Sequence, residues 1–333
     1  MNMEKYIPPF IITNEILDYV SSIMEKIGKI SSYDNLSRFP ILRKQNRIRS
    51  IQSSCAIEAN SLTINQVEDV INNKVVIGPS KDIKEIKNAI KAYEIAYDKN
   101  PFIEKDLKFI HSIMTKDLIE LSGKYRISGE GVIDNKGNLI FLAPPKEMVP
   151  ILMSNLISWA KENFNKMNPL ILSSIFHYEF VFIHPFSDGN GRMARLWQNL
   201  ILSKWKPIFK YIPIESLIKK YQLEYYDAIS KSNLNGDSTV FVTFMLKMID
   251  LSLTDLINDT SLEIENSSIY VNKLLKILKK DKWYTTQDML SLLNLSDKVN
   301  FRKNYLNPAN ELGLIEVEFK DKKTSKNQRY KLR

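Results

Sequence analysis

Apolar residues recur at helical spacing through most of this 333-residue chain, and that periodicity limits the folds it can adopt. The stripes run through TNEILDYVSSIMEKI, DIKEIKNAIKAYEIAY, DLKFIHSIMTKDL and VPILMSNLISWAKENF. Helix starts are also recognisable: Thr63 and Gln66 form a capping-box pattern, and Asn168 with Pro169 suits an N-cap and a first helical position. The sequence therefore predicts an all-α fold.

One interval breaks this periodicity. The segment GKYRISGEGVIDNKGNLIFLAPP holds two short apolar runs around DNKGN, which is a hairpin signal. Pro144 and Pro145 then end the second run. Because a lone hairpin has no sheet to join, we expect it to form a flap on the helical body.

The composition favours a protein of the reducing cytoplasm. The single cysteine, Cys55, excludes a disulfide scaffold and a cysteine-rich zinc site. The first residues lack a basic start followed by a long apolar stretch, so no signal peptide is predicted. No apolar run approaches the ~18 residues of a membrane span, so no membrane association is expected.

Charge is distributed unevenly along the chain. Val271–Arg333 holds 15 basic and 7 acidic residues, whereas the rest is nearly balanced at 32 against 31. This tail reads as three helices, two short strands and a polar turn, KDKKTSKN, which suggests a winged helix-turn-helix domain. The predicted domains are an N-terminal helical region (1–100), a helical core (101–255), a linker (256–270) and a winged-helix domain (271–333).

Glycine is scarce, with 10 residues in the chain, yet two lie close together in HPFSDGNGRMAR, from His184 to Arg195. Pro185 disfavours helix at His184, and RMARLWQNLIL resumes helical spacing, so SDGNG should be a loop that runs into a helix N-terminus. Free N–H groups and the helix dipole favour an anion there. Glycine also lets a phosphate approach the backbone closely.

The side chains of this motif extend the interpretation to a reaction. Arg192 and Arg195 share a helix face and suit a di- or triphosphate. Asp188 offers a hard oxygen ligand for Mg²⁺, and Asn190 can donate to a phosphate oxygen. His184, with an unperturbed pKa of ~6.5, can take a proton from a hydroxyl. The implied reaction transfers a phosphate-containing group to a hydroxyl.

The motif resembles the Fic family signature, HxFx(D/E)GNGRxxR, in all eight fixed positions, and the likeness covers about Ser50 to Leu256. Fic proteins are all-helical enzymes that mostly transfer AMP from ATP to a Ser, Thr or Tyr hydroxyl of a protein. The resemblance implies a Fic-type helical bundle, ATP as co-substrate with Mg²⁺, and a protein substrate. Because Fic proteins often dimerise, it also implies a homodimer whose subunits could modify each other.

Carried onto this chain, the resemblance assigns a role to each motif residue. His184 would be the base, and Asp188 would hold Mg²⁺ with the α- and β-phosphates. Arg192 would bind the inner phosphates and Arg195 the γ-phosphate. The remaining assignments are an anion hole from Gly189, Asn190 and Gly191, and a core-packing role for Phe186.

Two further segments resemble parts of the family's binding site. The hairpin residues Phe141 and Leu142 correspond to a flap that aligns an extended target by strand-like pairing. The segment EYYDAISKSNLNGD resembles the adenine-side helix, on which Tyr226 and Asn233 would flank the base and ribose, with Tyr225 nearby. Core packing is the alternative role for both tyrosines.

The segment SSCAIEANSLT resembles the family's inhibitory motif, [S/T]xxxE[G/N], on a helix around residues 54–60. Ser54 and Glu58 match it and lie four apart on one face. In the family this glutamate pairs with the second arginine, here Arg195, and excludes a productive γ-phosphate. Ala59 departs from the pattern, because the family has Gly or Asn at that position.

Other functions remain open at this stage. A DNA-binding regulator could use the Fic body as a nucleotide sensor, with Lys298, Arg302 and Lys303 on a recognition helix that binds nucleic acid. The same site could remove AMP, or use another nucleotide or a phosphocholine carrier as donor. His177 lies two turns before His184 and could form a metal pair with it, but no third ligand is evident, so His177 is expected to be a core histidine. His111 is also expected to be structural.

Overall fold

The computed structural model describes residues 6–32, 40–133, 139–266, 269–319 and 328–333. Helices dominate these residues, so the predicted all-α class is confirmed. The chain divides into two compact units, Met1–Ile23 with Asn46–Ser252, and Met24–Gln45 with Leu253–Arg333. Among the described residues, no helix combines the length and apolar character needed to cross a membrane.

Local sequence signals position the helices up to residue 266. Thr63 and Gln66 form the predicted capping box, and the Asn168 side chain accepts from the Leu170 N–H at 2.9 Å. These helices are α1 (Asn14–Ser32), α2 (Pro40–Ile57), α3 (Ile64–Ile71), α4 (Ser80–Ala96), α5 (Glu104–Met114), α6 (Val149–Asn163), α7 (Pro169–Ile183), α8 (Asn190–Trp205), α9 (Ile214–Lys220), α10 (Gln222–Asn235) and α11 (Thr239–Asn266).

Helices α7 and α8 form the centre of the first unit. Both are buried on nearly all sides, with Phe176, Phe180 and Trp197 inaccessible to solvent. A helix that is apolar all round must lie inside a bundle. The loop between the two helices is therefore held by packed elements on several sides.

The predicted hairpin is confirmed as two antiparallel strands, β1 (Gly131–Ile133) and β2 (Leu139–Leu142). Gly131 pairs with Leu142, and a bulge follows Val132. The intervening turn, residues 134–138, lies outside the described residues.

The second unit contains the basic tail. Its elements from residue 269 onward are α12 (Ile269–Ile277), β3 (Tyr284–Thr285), α13 (Thr286–Leu292), α14 (Lys298–Phe301), a π-helical segment (Arg302–Leu306), α15 (Asn307–Glu311), β4 (Ile315–Val317) and β5 (Arg329–Leu332). The sheet is antiparallel in the order β3-β5-β4. The sequence missed β3, because two residues carry no alternation. The turn KDKKTSKN lies outside the described residues, and the winged-helix assignment stays a prediction.

Helix α11 extends through most of the segment assigned to a linker at 256–270, because it ends only at Asn266. The polar stretch NDTSLEIENSS contains no glycine or proline that would end a helix. Polarity therefore did not interrupt the helix here. The four predicted segments and the three boundaries between them remain predictions.

Candidate active site

The predicted loop joins α7 to α8, and both of its ends have left-handed backbone. His184 caps α7 with φ 52° and ψ 58°, and Gly189 caps α8 with φ 83°. A Cβ at Gly189 would lie 3.0 Å from Thr115 Cγ2. Glycine suits this position because the left-handed backbone and the close contact both disfavour a side chain.

Asn190 closes the loop through its side chain. Its Oδ1 accepts from the Phe186 N–H at 2.9 Å, and its Nδ2 donates to the Phe186 carbonyl at 2.7 Å. The Phe186 ring is fully buried, as its predicted core role requires. These two bonds hold the Asn190 side chain against the loop, and its backbone N–H lies at the start of α8, where a helix can bind an anion.

His111 contacts the loop between α7 and α8 through its ring. Its Nδ1 accepts from the Gly123 N–H at 2.9 Å, so Nε2 carries the proton and donates to the Asp188 carbonyl at 3.0 Å. The ring stacks on Phe186 with centroids 3.6 Å apart. Burial lowers the pKa of His111 to about 4, so the ring is neutral near pH 7. The expected structural role of His111 agrees with these contacts.

The His184 side chain has one ring nitrogen directed at a backbone carbonyl. Its Nδ1 lies 3.3 Å from the Val181 carbonyl, which can only accept, so Nδ1 carries the proton and Nε2 has the free electron pair. Burial lowers the pKa of His184 below its usual value, with opposing contributions from Val181 and Glu130. The neutral imidazole is therefore the dominant form at neutral pH.

Arg126 ties this loop to the base of the hairpin. Its Nε donates to the His184 carbonyl at 2.7 Å, and its other nitrogens donate to the carbonyls of Ser128 and Pro144, which flank the hairpin. Its own N–H donates to the Pro185 carbonyl at 3.0 Å. One buried guanidinium thus fixes the loop relative to the flap.

Glu58 and Ser54 engage Arg195 as the inhibitory motif predicts. The Arg195 Nη2 lies 2.8 Å from Glu58 Oε1 and 2.9 Å from the Ser54 carbonyl, while Nε donates to Ser54 Oγ at 3.1 Å. Arg195 is buried, whereas the Glu58 side chain is 35% exposed. Ser54 lies in the last turns of α2, and Glu58 follows the end of that helix.

The Glu58 carboxylate also lies against the N-terminus of α8. A Cβ built at Gly191 would overlap Glu58 Oε1. The first turn of a helix offers N–H groups without intrahelical partners, and these attract an anion. Glu58 therefore places negative charge where the sequence predicts a phosphate.

Arg192 bonds two carboxylates. Its Nη1 donates to Glu85 Oε1, and its Nη2 lies 2.9 Å from Asp188 Oδ1. Asp188 also accepts from the Gly189 N–H at 2.5 Å. The buried Arg192 Nε has no hydrogen-bond partner within the described part of the chain. This buried donor suits an acceptor brought by a ligand.

The adenine-side residues differ in exposure. Tyr225 is 2% exposed, and its hydroxyl lies 3.0 Å from His177 Nε2, so the core-packing alternative describes its position. Tyr226 is 45% exposed and donates to the Ile57 carbonyl at 3.4 Å. Asn233 accepts from the Tyr178 hydroxyl at 2.9 Å. Of these two tyrosines, Tyr226 is the one exposed to solvent, beside the end of α2.

The structure describes part of the predicted flap and the predicted metal ligand. Leu142 is 67% exposed, and Phe141 pairs through its backbone with Val132, while the Phe141 side chain lies outside the described residues. No cluster of three metal-binding side chains occurs among the residues that the structure covers. Asp188, whose side chain is 48% exposed, is a single carboxylate at the loop.

Several supporting residues were missed by the sequence analysis. Arg126 and Glu85 lie outside the motif, and neither stands in a recognisable pattern. The end of α2 is also held: Lys219 Nζ donates to the Ala56 carbonyl at 2.8 Å, and Gln222 Nε2 donates to the Ile57 carbonyl at 3.0 Å. A free helix C-terminus needs such donors, but nothing in the sequence indicates which distant side chains supply them.

Comparisons with known proteins show a family and a fold. Residues 101–202 match the Fic/DOC family, and residues 270–333 match the C-terminal domain described as "Filamentation induced by cAMP protein Fic-like". A crystal structure of a Fic family protein from Desulfovibrio desulfuricans G20 is 39% identical, with a TM-score of 0.75 and 98% of each chain covered. Fic-1 (residues 134–508) from Caenorhabditis elegans has the same fold, with a TM-score of 0.63, 20% identity, and 74% of this chain and 73% of that chain covered.

Curated relatives carry a functional name. Protein adenylyltransferase fic-1 of Caenorhabditis briggsae is 30% identical over 61% of this chain and 40% of its own length. Protein adenylyltransferase Fic of Nematostella vectensis is 25% identical over 75% of this chain and 58% of its own. The chain thus spans about half the length of these two relatives.

Proposed function

Because the chain belongs to the Fic family, we propose that it is a protein adenylyltransferase, which transfers AMP from ATP to a Ser, Thr or Tyr hydroxyl. The observation that carries the proposal is the buried pair Arg192 and Arg195 in the first turns of α8, with His184 at the other end of the loop that leads into this helix. The curated relatives named protein adenylyltransferase support the same reaction class.

The residues would act together on the α-phosphate. The hydroxyl oxygen attacks the α-phosphorus while His184 Nε2 accepts the hydroxyl proton. The bond from that phosphorus to the bridging oxygen breaks, and pyrophosphate leaves with the electron pair. Arg192 and the N–H groups at the start of α8 would stabilise the charge that builds on the phosphate oxygens.

Asp188 would hold Mg²⁺ together with the phosphates. A single half-exposed carboxylate fits this ion, because Mg²⁺ usually binds one or two carboxylates plus substrate phosphates and water. When bound, the ion would neutralise phosphate charge. The dependence on the nucleotide also explains why the protein alone need not assemble three metal-binding side chains.

Glu58 would restrain the reaction. Its carboxylate occupies Arg195, which would otherwise bind the γ-phosphate, and it lies over Gly191. ATP must therefore displace Glu58 or bind with its γ-phosphate misplaced. The protein itself and a second copy in a homodimer are included among the proposed substrates.

Intact-mass spectrometry after incubation with ATP and Mg²⁺ tests the proposal. Glu58→Gly should gain the mass of at least one AMP group, and the wild type should gain much less. Glu58→Gly combined with His184→Ala should gain none. Equal modification of wild type and Glu58→Gly would refute the restraint, and no AMP adduct with any added protein would refute the activity.

A second candidate function rests on the tail. Lys298, Arg302 and Lys303 are exposed on the helical segment 298–311, while Phe301 and Tyr305 on its other side are buried. We propose that this face binds nucleic acid as part of a winged-helix domain. A gel shift that weakens with salt and is lost when Arg302 and Lys303 are changed to Gln would support it, whereas an unchanged shift would refute this surface.

A further inference from the structure

Both arginines of the motif are paired with glutamates, but the two glutamates differ in setting. Glu58 follows the end of α2, and its side chain is 35% exposed. Glu85 lies inside α4, and its side chain is 9% exposed where it bonds Arg192, itself 4% exposed. A half-exposed carboxylate on a turn can leave its partner, whereas separating a buried pair leaves a charge uncompensated.

Glu85 is fixed from its other side as well. Its Oε2 accepts from Asn60 Nδ2 at 2.6 Å, and Asn60 is held in turn by the Leu62 N–H at 3.1 Å and the Asp82 carbonyl at 3.1 Å. Both carboxylate oxygens of Glu85 therefore have partners. The guanidinium of Arg192 has correspondingly little freedom to rotate.

The orientation of Arg192 extends to the loop. Its Nη2 bonds Asp188 Oδ1, which also accepts from the Gly189 N–H. With Glu85 on Nη1 and Asp188 on Nη2, the Nε of Arg192 is the buried donor that lacks a partner within the described part of the chain. A guanidinium fixed in this way keeps one buried donor available for an incoming oxygen.

We propose that Glu85 is a positioning residue, which fixes the Arg192 guanidinium for the inner phosphates and stays bonded to it when nucleotide binds. Glu58 and Glu85 then have opposite effects on the same ligand: one competes with a phosphate, and the other prepares an arginine for one. The inference rests on the proposed function only in that the ligand is an adenine nucleotide.

Calorimetric titration of the full chain with ADP and Mg²⁺, and separately with adenosine, tests the inference. ADP is the probe because it lacks the γ-phosphate that Glu58 would exclude. Glu85→Gln should raise the Kd for ADP by ~10-fold, the size of a charge-assisted hydrogen bond lost or misdirected. Its Kd for adenosine should stay within about two-fold, because adenosine has no phosphate; a general loss of structure would weaken both ligands.

The matched control is Glu94→Gln, the same substitution at an exposed position further along α4. The Glu94 carboxylate pairs with Arg47 at 3.2 Å, not with an arginine of the motif, so ADP affinity should not change. If Glu85→Gln does not fold, Glu85→Asp is the second variant. It keeps the charge on a side chain shorter by one methylene, and it should also weaken the binding of ADP but not that of adenosine.

Unchanged or tighter ADP binding by Glu85→Gln would overturn the inference and leave the proposed function standing. If the wild type bound adenosine but not ADP, both would fall. If ADP binding depended on Glu85 while Glu58→Gly transferred no AMP, the proposed activity would fail and the role of Glu85 would stand.

Discussion

Ala59 has a left-handed backbone, with φ 67°, although alanine disfavours that region. Its methyl group is exposed, so replacing it removes no packing. The left-handed conformation costs an alanine ~1–2 kcal/mol, and glycine would remove this cost. Glycine also has more conformational freedom in the unfolded chain, which reduces the gain in stability by ~0.4–1 kcal/mol. Ala59→Gly should therefore stabilise the fold by ~0.5–1 kcal/mol, or about 1–4 °C in Tm for a unit of this size.

Thermal unfolding measured by circular dichroism tests this prediction, and the chain supplies its own control. Ala56 lies three residues earlier, inside α2, where glycine is unfavourable. Ala56→Gly removes the same methyl group and should destabilise by ~0.5–1 kcal/mol. The two variants must therefore shift Tm in opposite directions. If Ala59→Gly lowered Tm as Ala56→Gly does, the left-handed backbone at Ala59 would not be a source of strain.

Three further predictions concern the loop. Because the pKa of His184 is lowered, its imidazole stays neutral at pH values below the ordinary histidine pKa of ~6.5. The kcat/KM of Glu58→Gly should therefore decline only at lower pH. A decline with its midpoint above pH 7 would contradict this. The pKa of His111 is about 4 when folded and ~6.5 when unfolded, so its contribution to stability is lost as pH falls between these values. When the pH falls from 7 to 5, the free energy of unfolding in urea should drop by ~2 kcal/mol less for His111→Gln than for the wild type. Equal drops would contradict a buried, neutral His111. Arg126→Lys has its donors on one nitrogen and lacks the planar guanidinium that reaches the carbonyls of His184, Ser128 and Pro144. The kcat should therefore fall at least ~10-fold with the Kd for ADP unchanged, and an unchanged kcat would exclude a role of Arg126 in fixing the loop relative to the flap.

The motif itself could be predicted from the sequence because its signals are local. Pro185 ends α7 at Ile183, the glycines allow the turn, and the arginines share one face of α8. The hairpin was predicted for the same reason, since its turn and its two apolar runs are adjacent in the chain. The contact between Glu58 and Arg195 was reached through a family resemblance rather than from spacing.

The supporting contacts join residues that are far apart in the chain. Glu85 and Arg192 are separated by 107 positions, and Arg126 and His184 by 58. Buried charges of this kind are fixed by tertiary packing, so their partners leave no periodic signal. The tyrosines give a smaller example: adjacent positions on α10 point to different sides, which places Tyr225 in the core and Tyr226 at the surface. The sequence alone left those two roles undecided.

The central claim is that AMP, and not phosphate, is transferred to a hydroxyl, with His184 as the base and with Glu58 restraining the reaction through Arg195. Parallel incubations of Glu58→Gly with ATP labelled at the α- or the γ-phosphate test it directly. The account predicts protein-bound label from the α position only, and its loss when His184→Ala is added. Label from the γ position, or α-label that survives His184→Ala, would contradict it.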